Sequence, residues 1–184
     1  DVDFVIHAAA LKQVPKAEYD PFEFINTNIL GSQNIINAAL ETKVKKVIAL
    51  STDKASSPAN LYGATKLCSD KLFLAANNIK GFKNISFTVL RYGNVFGSRG
   101  SIYNIIKTNP KIVKMTDNRM TRFHITLDKA VELCLWGVKN SYGGEIIVPK
   151  LSSYKLEEFI RTITPKSKII VLIINNPYIF RKNN

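Results

Sequence analysis

Cysteine and histidine are nearly absent from this chain, with two of each among 184 residues. Cys68 and Cys134 cannot build a disulfide framework. Both fall in helix-like segments, where small buried hydrophobes in a reducing cytosol are expected. Long apolar runs are missing as well. The longest, Ile169–Ile174, has the length of a strand and not of a membrane span, so no membrane partner is expected. The chain opens DVDFVIHAAA, without a basic n-region or a cleavage site, and a cytoplasmic location is expected. Acidic residues are scarce, 14 against 26 lysines and arginines, which leaves a net charge of +12. The lysines are scattered, however, with KVKK at Lys43–Lys46 the densest patch and no aromatics between them. This argues against a nucleic-acid surface and for solvated lysines, whose field would still suit a diphosphate ligand.

One further absence concerns the fold. A dinucleotide-binding fold opens with a strand, a Gly-rich turn and a helix, which together set pyrophosphate on the helix N-terminus. No such turn precedes Phe4, and GNVFGSRG at Gly93–Gly100 follows a late strand. The chain therefore reads as a fragment that starts inside such a fold.

What is present is an alternation of strands and helices. Phe4–Ala8 and Val44–Ser51 read as buried parallel strands, and Ile85–Tyr92 as a third. Asp20-Pro21-Phe22-Glu23 is a helix start with Asp20 as cap and Pro21 in the first turn, and the helix is expected to run to about Glu41. Leu61–Asn78 is predicted helical, with Ala64, Leu67, Cys68, Leu72 and Ala75 as its apolar face. Leu127–Trp136 reads as a helix and Gly144–Val148 as a strand. Alternation of this kind argues an α/β parallel sheet, whose ligands sit beyond the carboxyl ends of the strands. HAAALK, STDK and RYGN each fall just past a predicted strand end, so three loops converge on one edge.

That edge carries chemistry. Tyr62 and Lys66 stand four residues apart at a helix start and share a face. A phenol is a poor base at neutral pH, but a neighbouring ammonium and an oxidised nicotinamide both favour the phenolate. Such a pair takes a proton from a sugar hydroxyl while hydride leaves the same carbon. Asp53 and Lys54, an acid beside a base at a strand end, suit an elimination. Alone, that dipeptide reads as a loop ion pair or a helix cap. Beside Tyr62 and Lys66 it reads as catalytic.

The order HAAA, a helical Thr27-Asn28, STDK, YGATK and RYGN resembles the extended short-chain dehydrogenase/reductase superfamily. Within it, STDKASSPANLYGATKL is similar to the inverting UDP-N-acetylglucosamine 4,6-dehydratases of pseudaminic acid and flagellin-glycan biosynthesis. Further matching segments are AEYDP at Ala17–Pro21, SDKLF at Ser69–Phe73, GSRGS at Gly97–Ser101, RMTRF at Arg119–Phe123 and GGEIIVPK at Gly143–Lys150.

The resemblance implies a partial Rossmann-like doubly wound parallel sheet with a small C-terminal substrate-binding portion. Residues 1–100 would be the C-terminal part of an NAD(P)-binding domain carrying the catalytic residues, and 101–184 a partial substrate-binding region. It also implies NADP as cofactor, UDP-N-acetylglucosamine as substrate and a homo-oligomeric full-length protein.

Residue by residue, the resemblance implies that Tyr62, supported by Lys66, assists oxidation at the sugar C4. Lys54 would remove the C5 proton, Asp53 would protonate the departing C6 hydroxyl, and Thr52 would bond near the C4 oxygen. His7, Ala8, Ala9 and Ala10 would line the cofactor, together with Tyr62 and Lys66, and Asn28 would organise the site. Lys12, Asn94, Arg119 and Arg122 would contact the UDP-sugar. No metal ligands are implied, and His124 is expected to be structural.

Two segments depart from the family pattern. Ile102-Tyr103-Asn104-Ile105 replaces the usual run after GSRGS, and Ser167–Asn184 lacks the segment that closes over uridine diphosphate and reads as truncated or frame-shifted. Two other readings follow from these features. One is a nucleotide-sugar epimerase or reductase of the same superfamily, which would leave Asp53-Lys54 unexplained. The other is a non-catalytic remnant.

Overall fold

A computed structural model of the chain describes residues 2–98, 101–108 and 110–172. Arg99 and Gly100 of the GSRGS segment, and the part of the atypical end beyond Leu172, lie outside the described residues. The chain divides into two compact units, Asp1–Asn94 with Ile125–Lys150, and Val95–His124 with Leu151–Asn184.

The first unit is built on four parallel strands, β1 (Phe4–His7), β2 (Lys46–Thr52), β3 (Ser86–Tyr92) and β7 (Ile146–Ile147), which lie side by side in that order. Side chains alternate across β2 and β3, and both faces are covered. Val47, Ala49, Phe87 and Val89 pack beneath Ile36 and Ala39 of α3 (Gly31–Glu41) and Phe73 and Ala76 of α4 (Leu61–Ile79). Ile48, Leu50, Leu90 and Tyr92 face Leu133, Cys134 and Val138 of α6 (Leu127–Asn140). Gly137 permits the close seat of α6, since a Cβ there would stand 3.3 Å from Leu90. Helices on both faces make the sheet doubly wound and Rossmann-like. Each fully buried aliphatic or aromatic side chain contributes about 1.5–3 kcal/mol to holding these layers together.

Two local expectations are corrected around Asp20, which follows α1 (Val14–Tyr19), a helix started by a proline in its first turn. Asp20 therefore serves two helices at once, as C-cap of α1 and N-cap of α2 (Pro21–Ile25), and its side chain makes no capping bond. Between α2 and α3 the helix widens into a π-turn at Asn26–Leu30, which directs Asn28 inward to 1% exposure.

The buried face of α4 is also not the apolar one. Tyr62, Thr65, Lys66, Ser69, Asp70, Phe73 and Ala76 are buried, whereas Cys68 is exposed. Buried polar groups there are satisfied by partners outside the helix, so hydrophobic spacing alone points to the wrong side. Cys134, by contrast, is buried as expected.

Capping fixes the helix ends nearest the sheet. The Asn60 side chain accepts from Gly63 N at 2.8 Å, and the Glu18 carboxylate accepts from Leu61 N at 2.8 Å. At the far end of α6, Lys46 Nζ donates to the carbonyls of Val138 and Ser141 at 2.8 Å each. That cation at the helix C-terminus carries α6 four residues past Trp136, to Asn140.

After β4 (Asn94–Val95), the second unit contains α5 (Ile102–Lys107), α7 (Leu156–Ile163), the parallel pair β5 (Ile112–Met115) and β9 (Lys168–Val171), and the antiparallel pair β6 (Thr121–Ile125) and β8 (Ser153–Lys155). Ile106, Val113, Met115, Leu156 and Ile160 form its core. His124 stacks among aromatics, 4.9 Å from Phe96 and 5.2 Å from Tyr154, in keeping with a structural role.

Candidate active site

β1, β2 and β3 end at His7, Thr52 and Tyr92, so the three loops predicted to converge do leave the sheet along one edge. Directly after β2, Asp53–Ala55 makes a 3-10 turn whose N-cap is Thr52. That turn rests on the first turn of α4 because residue 63 is glycine. A Cβ at Gly63 would collide with the Lys54 carbonyl oxygen and stand 3.0 Å from Pro58 Cβ.

A run of hydrogen bonds results. The Tyr62 phenol stands beside the Thr52 side chain, which offsets part of the rise that burial imposes on it. Thr52 Oγ1 donates to Asp53 Oδ1 at 2.9 Å, Lys54 Nζ donates to the same oxygen at 3.1 Å, and Lys54 Nζ also reaches Asn94 Oδ1 at 3.3 Å. Asp53 and Lys54 are about one-third exposed and Tyr62 is buried, so the run leads from the interior to solvent. Asp53 and Lys54 thus form an ion pair at 3.1 Å, an acid and a base side by side at the strand end.

Lys66 is 3% exposed and donates to the Leu50 carbonyl at 2.9 Å. Burial pushes its pKa down, and the nearby Asp70 carboxylate partly opposes this. The Tyr62 phenol is pushed up, not down. Burial is the largest cause, Thr52 offsets part of it, and the charges of Asp53 and Asp70 add to it. The expectation that a neighbouring ammonium favours the phenolate is thus outweighed here by desolvation.

Asn28 ties the site together. Its amide oxygen accepts from Leu11 N at 2.9 Å, and its nitrogen donates to Leu11 O at 3.0 Å and to Thr65 Oγ1 at 3.1 Å. The HAAALK loop is thereby fastened to the Tyr62 helix. Within that loop Ala8, Ala9, Ala10 and Lys12 are exposed. His7 is buried against Phe73, with ring centroids 5.4 Å apart and Nε2 without a hydrogen-bond partner. Burial, followed by Lys66, lowers its pKa.

Thr52, Asp53, Lys54, Tyr62, Lys66, His7, Asn28 and Asn94 thus all lie in the first unit. Arg119 and Arg122 belong to the second. Arg119 is exposed and forks onto Asp117 at 2.7 and 3.1 Å, holding that carboxyl down at about 2. Arg122 is half-buried and donates to the Thr121 carbonyl at 3.0 Å. Sequence reasoning missed Asp70, Arg91 and Ser51. Asp70 is 1% exposed, and its Oδ2 accepts from Ser51 Oγ at 2.8 Å and from Arg91 Nη2 at 2.7 Å. The signal available was the spacing of Asp70 four residues after Lys66.

A doubly wound parallel sheet with Tyr62 and Lys66 beyond its strand ends defines a protein of the short-chain dehydrogenase/reductase type. Over residues 1–173 the chain matches the family described as Polysaccharide biosynthesis protein, and it belongs to that family. It is 56% identical over 169 residues to a UDP-N-acetylglucosamine 4,6-dehydratase (inverting) of Campylobacter jejuni, covering 90% of this chain and 51% of that protein. A UDP-glucose 4-epimerase of Rickettsia bellii is 46% identical over 161 residues, covering 85% of this chain and 47% of that one. Among solved structures, Pen from Bacillus thuringiensis superposes with a TM-score of 0.86 at 38% identity, over 94% of this chain and 57% of that one. The chain spans about half the length of the curated relatives it matches.

Proposed function

We propose that this chain carries the catalytic part of an inverting UDP-N-acetylglucosamine 4,6-dehydratase. The observation that supports this most is the hydrogen-bonded run Thr52–Asp53–Lys54 beside Tyr62. An epimerase needs only Thr52, Tyr62 and Lys66. The identity to the Campylobacter dehydratase points the same way.

In this reading residues 1–100 serve the cofactor and the chemistry, and 101–184 serve the sugar nucleotide. The residues present fit the reactive end of a nicotinamide dinucleotide. The loop after β1 offers three exposed alanines for close backbone approach, and His7 and Lys66 line its base. When bound, NADP+ would supply reversible hydride transfer with the sugar. Tyr62 takes the C4 hydroxyl proton, with Lys66 supplying positive charge nearby. Lys54 removes the C5 proton made acidic by the C4 ketone, and Asp53 delivers a proton to the C6 hydroxyl, which leaves as water. Tyr62 returns to C5, on the opposite face, the proton it took from the C4 hydroxyl, and so inverts that centre.

The product is a UDP-4-keto-6-deoxy sugar suited to pseudaminic acid and surface-polysaccharide synthesis in the cytoplasm. Lys12, Asn94, Arg119 and Arg122 are assigned to the UDP-sugar, and a homo-oligomer is the state the family resemblance implies.

The test is incubation of a protein of the relatives' length containing this sequence with UDP-N-acetylglucosamine and NADP+ in heavy water. The expected product by NMR is a 4-keto-6-deoxy sugar, inverted and deuterated at C5. A retained C6 hydroxyl with C4 epimerised would establish the second reading instead, which the Rickettsia relative favours.

A further inference from the structure

The mechanism above makes no use of the most deeply buried charge in the first unit. Asp70 is 1% exposed and lies one helical turn beyond Lys66, which lies one turn beyond Tyr62. Side chains spaced this way on a helix are neighbours. Lys66 and Asp70 also dock on adjacent residues of β2. Lys66 Nζ donates to the Leu50 carbonyl at 2.9 Å, and Asp70 Oδ2 accepts from Ser51 Oγ at 2.8 Å. Ser51 stands opposite Arg91 in the β2–β3 register, and Arg91 donates to the same Oδ2 through Nη2 at 2.7 Å and Nε at 3.2 Å. Strand order, strand register and helix period therefore converge on a single carboxylate oxygen.

On the function proposed above, we propose that Asp70 is the positioning residue for Lys66. Pinned by Ser51 and Arg91, its carboxylate holds the buried ammonium charged and docked on the end of β2.

The physical need is plain. A lysine at 3% exposure tends to shed its proton, and a neutral amine gives no support to a phenolate. The charged or titratable groups that act on Lys66 are His7 from β1 and Asp70 from α4, and of these only Asp70 is anionic. It is also the one anion that opposes the burial effect on Lys66. A tie joining β3 to α4 would require only the Asp70–Arg91 pair. The placement of Lys66 between that pair and Tyr62 is what gives the charge a second task.

The experiment is an NMR titration of the Lys66 ammonium in the 15N-lysine-labelled chain, assigned with Lys66→Arg. In Asp70→Asn the Lys66 titration should move down by about one to three pH units, the range for loss of one close opposite charge. In Asp70→Glu it should stay within a few tenths of the unsubstituted chain. Ser51→Ala removes the pin on β2 and should move Lys66 downward by a smaller amount. That variant decides the matter if Asp70→Asn does not fold. A Lys66 titration unmoved in folded Asp70→Asn, or unmoved in Ser51→Ala, overturns the proposal. The readout needs no turnover, so a protein in which Lys66 responds as described but no dehydration occurs would refute the proposed function and leave this inference standing.

Discussion

The carbonyl oxygen of Lys54 occupies the space that a Cβ on Gly63 would fill. This contact seats the turn carrying Asp53 and Lys54 on the helix carrying Tyr62. Replacing Gly63 by alanine must push the two apart. The expected cost is about 1–3 kcal/mol, the usual penalty for overpacking. Gly31 is the comparison, since a Cβ there meets only Asn26 O at an ordinary 3.6 Å. Gly31→Ala should gain up to about 1 kcal/mol from helix propensity. Urea denaturation of both variants checks this, and a Gly63→Ala chain as stable as the parent would show that the turn yields freely.

Tyr62 and Asp53 should separate into two steps. In a protein of the relatives' length, Tyr62→Phe is expected to slow hydride transfer by about 10²–10⁴, the usual worth of a positioned proton acceptor. Asp53→Asn should leave that step and remove elimination by a similar factor. Single-turnover absorbance at the reduced-nicotinamide band, followed by product NMR, distinguishes the two. Equal loss of both steps in Asp53→Asn would contradict the assignment. The fold should be nearly indifferent to Asp53→Asn, because the Lys54 pair is partly exposed and worth under about 1 kcal/mol.

Asn28 makes three hydrogen bonds at 1% exposure. Asn28→Ala strands the backbone N–H and C=O of Leu11, which should cost about 1–3 kcal/mol or more. Amide hydrogen exchange should show the loop after β1 opening before the sheet does. Unchanged protection at Leu11 would mean that water replaces the side chain.

His7 makes stability depend on acid. Its pKa is lowered in the folded chain by burial and by Lys66, so folding favours the neutral ring. The contribution is complete above the unfolded value of about 6.5 and is lost as pH falls through the lower folded value. Urea midpoints measured from pH 7.5 down to 5 should fall more steeply for the parent than for His7→Asn. Parallel curves would exclude His7 as the source.

Cys68 is exposed and Cys134 is buried, with its thiol pushed up by burial. A thiol reagent at pH 8 should therefore label Cys68 quickly and Cys134 only on unfolding. Cys68→Ser should abolish the fast phase. Two fast thiols would mean that α6 leaves the sheet readily.

Strands, helices and the candidate site residues were legible in the sequence to the extent that each is set by local chemistry. Apolar runs of strand length ending at HAAA, STDK and RYGN gave the sheet edge. The spacing of Tyr62 and Lys66 gave their shared face, since a helix period is fixed by the backbone alone. The direction of α4 was not legible. Its buried side is lined by Thr65, Ser69 and Asp70, whose burial is tolerable only because Asn28, Ser32, Ser51 and Arg91 arrive from other elements to bond them. Nothing within Leu61–Ile79 reports those partners. The second unit was hardly legible at all, because its short strands pair residues as far apart as Ile112 and Lys168. Local chemistry along the chain thus marks the candidate residues and their order. Packing settles that Gly63 admits the Lys54 carbonyl, that burial raises the Tyr62 phenol, and that Asp70 is held by Ser51 and Arg91. Those outcomes depend on which polar groups share the same dry space, and that is a property of packing and not of sequence spacing.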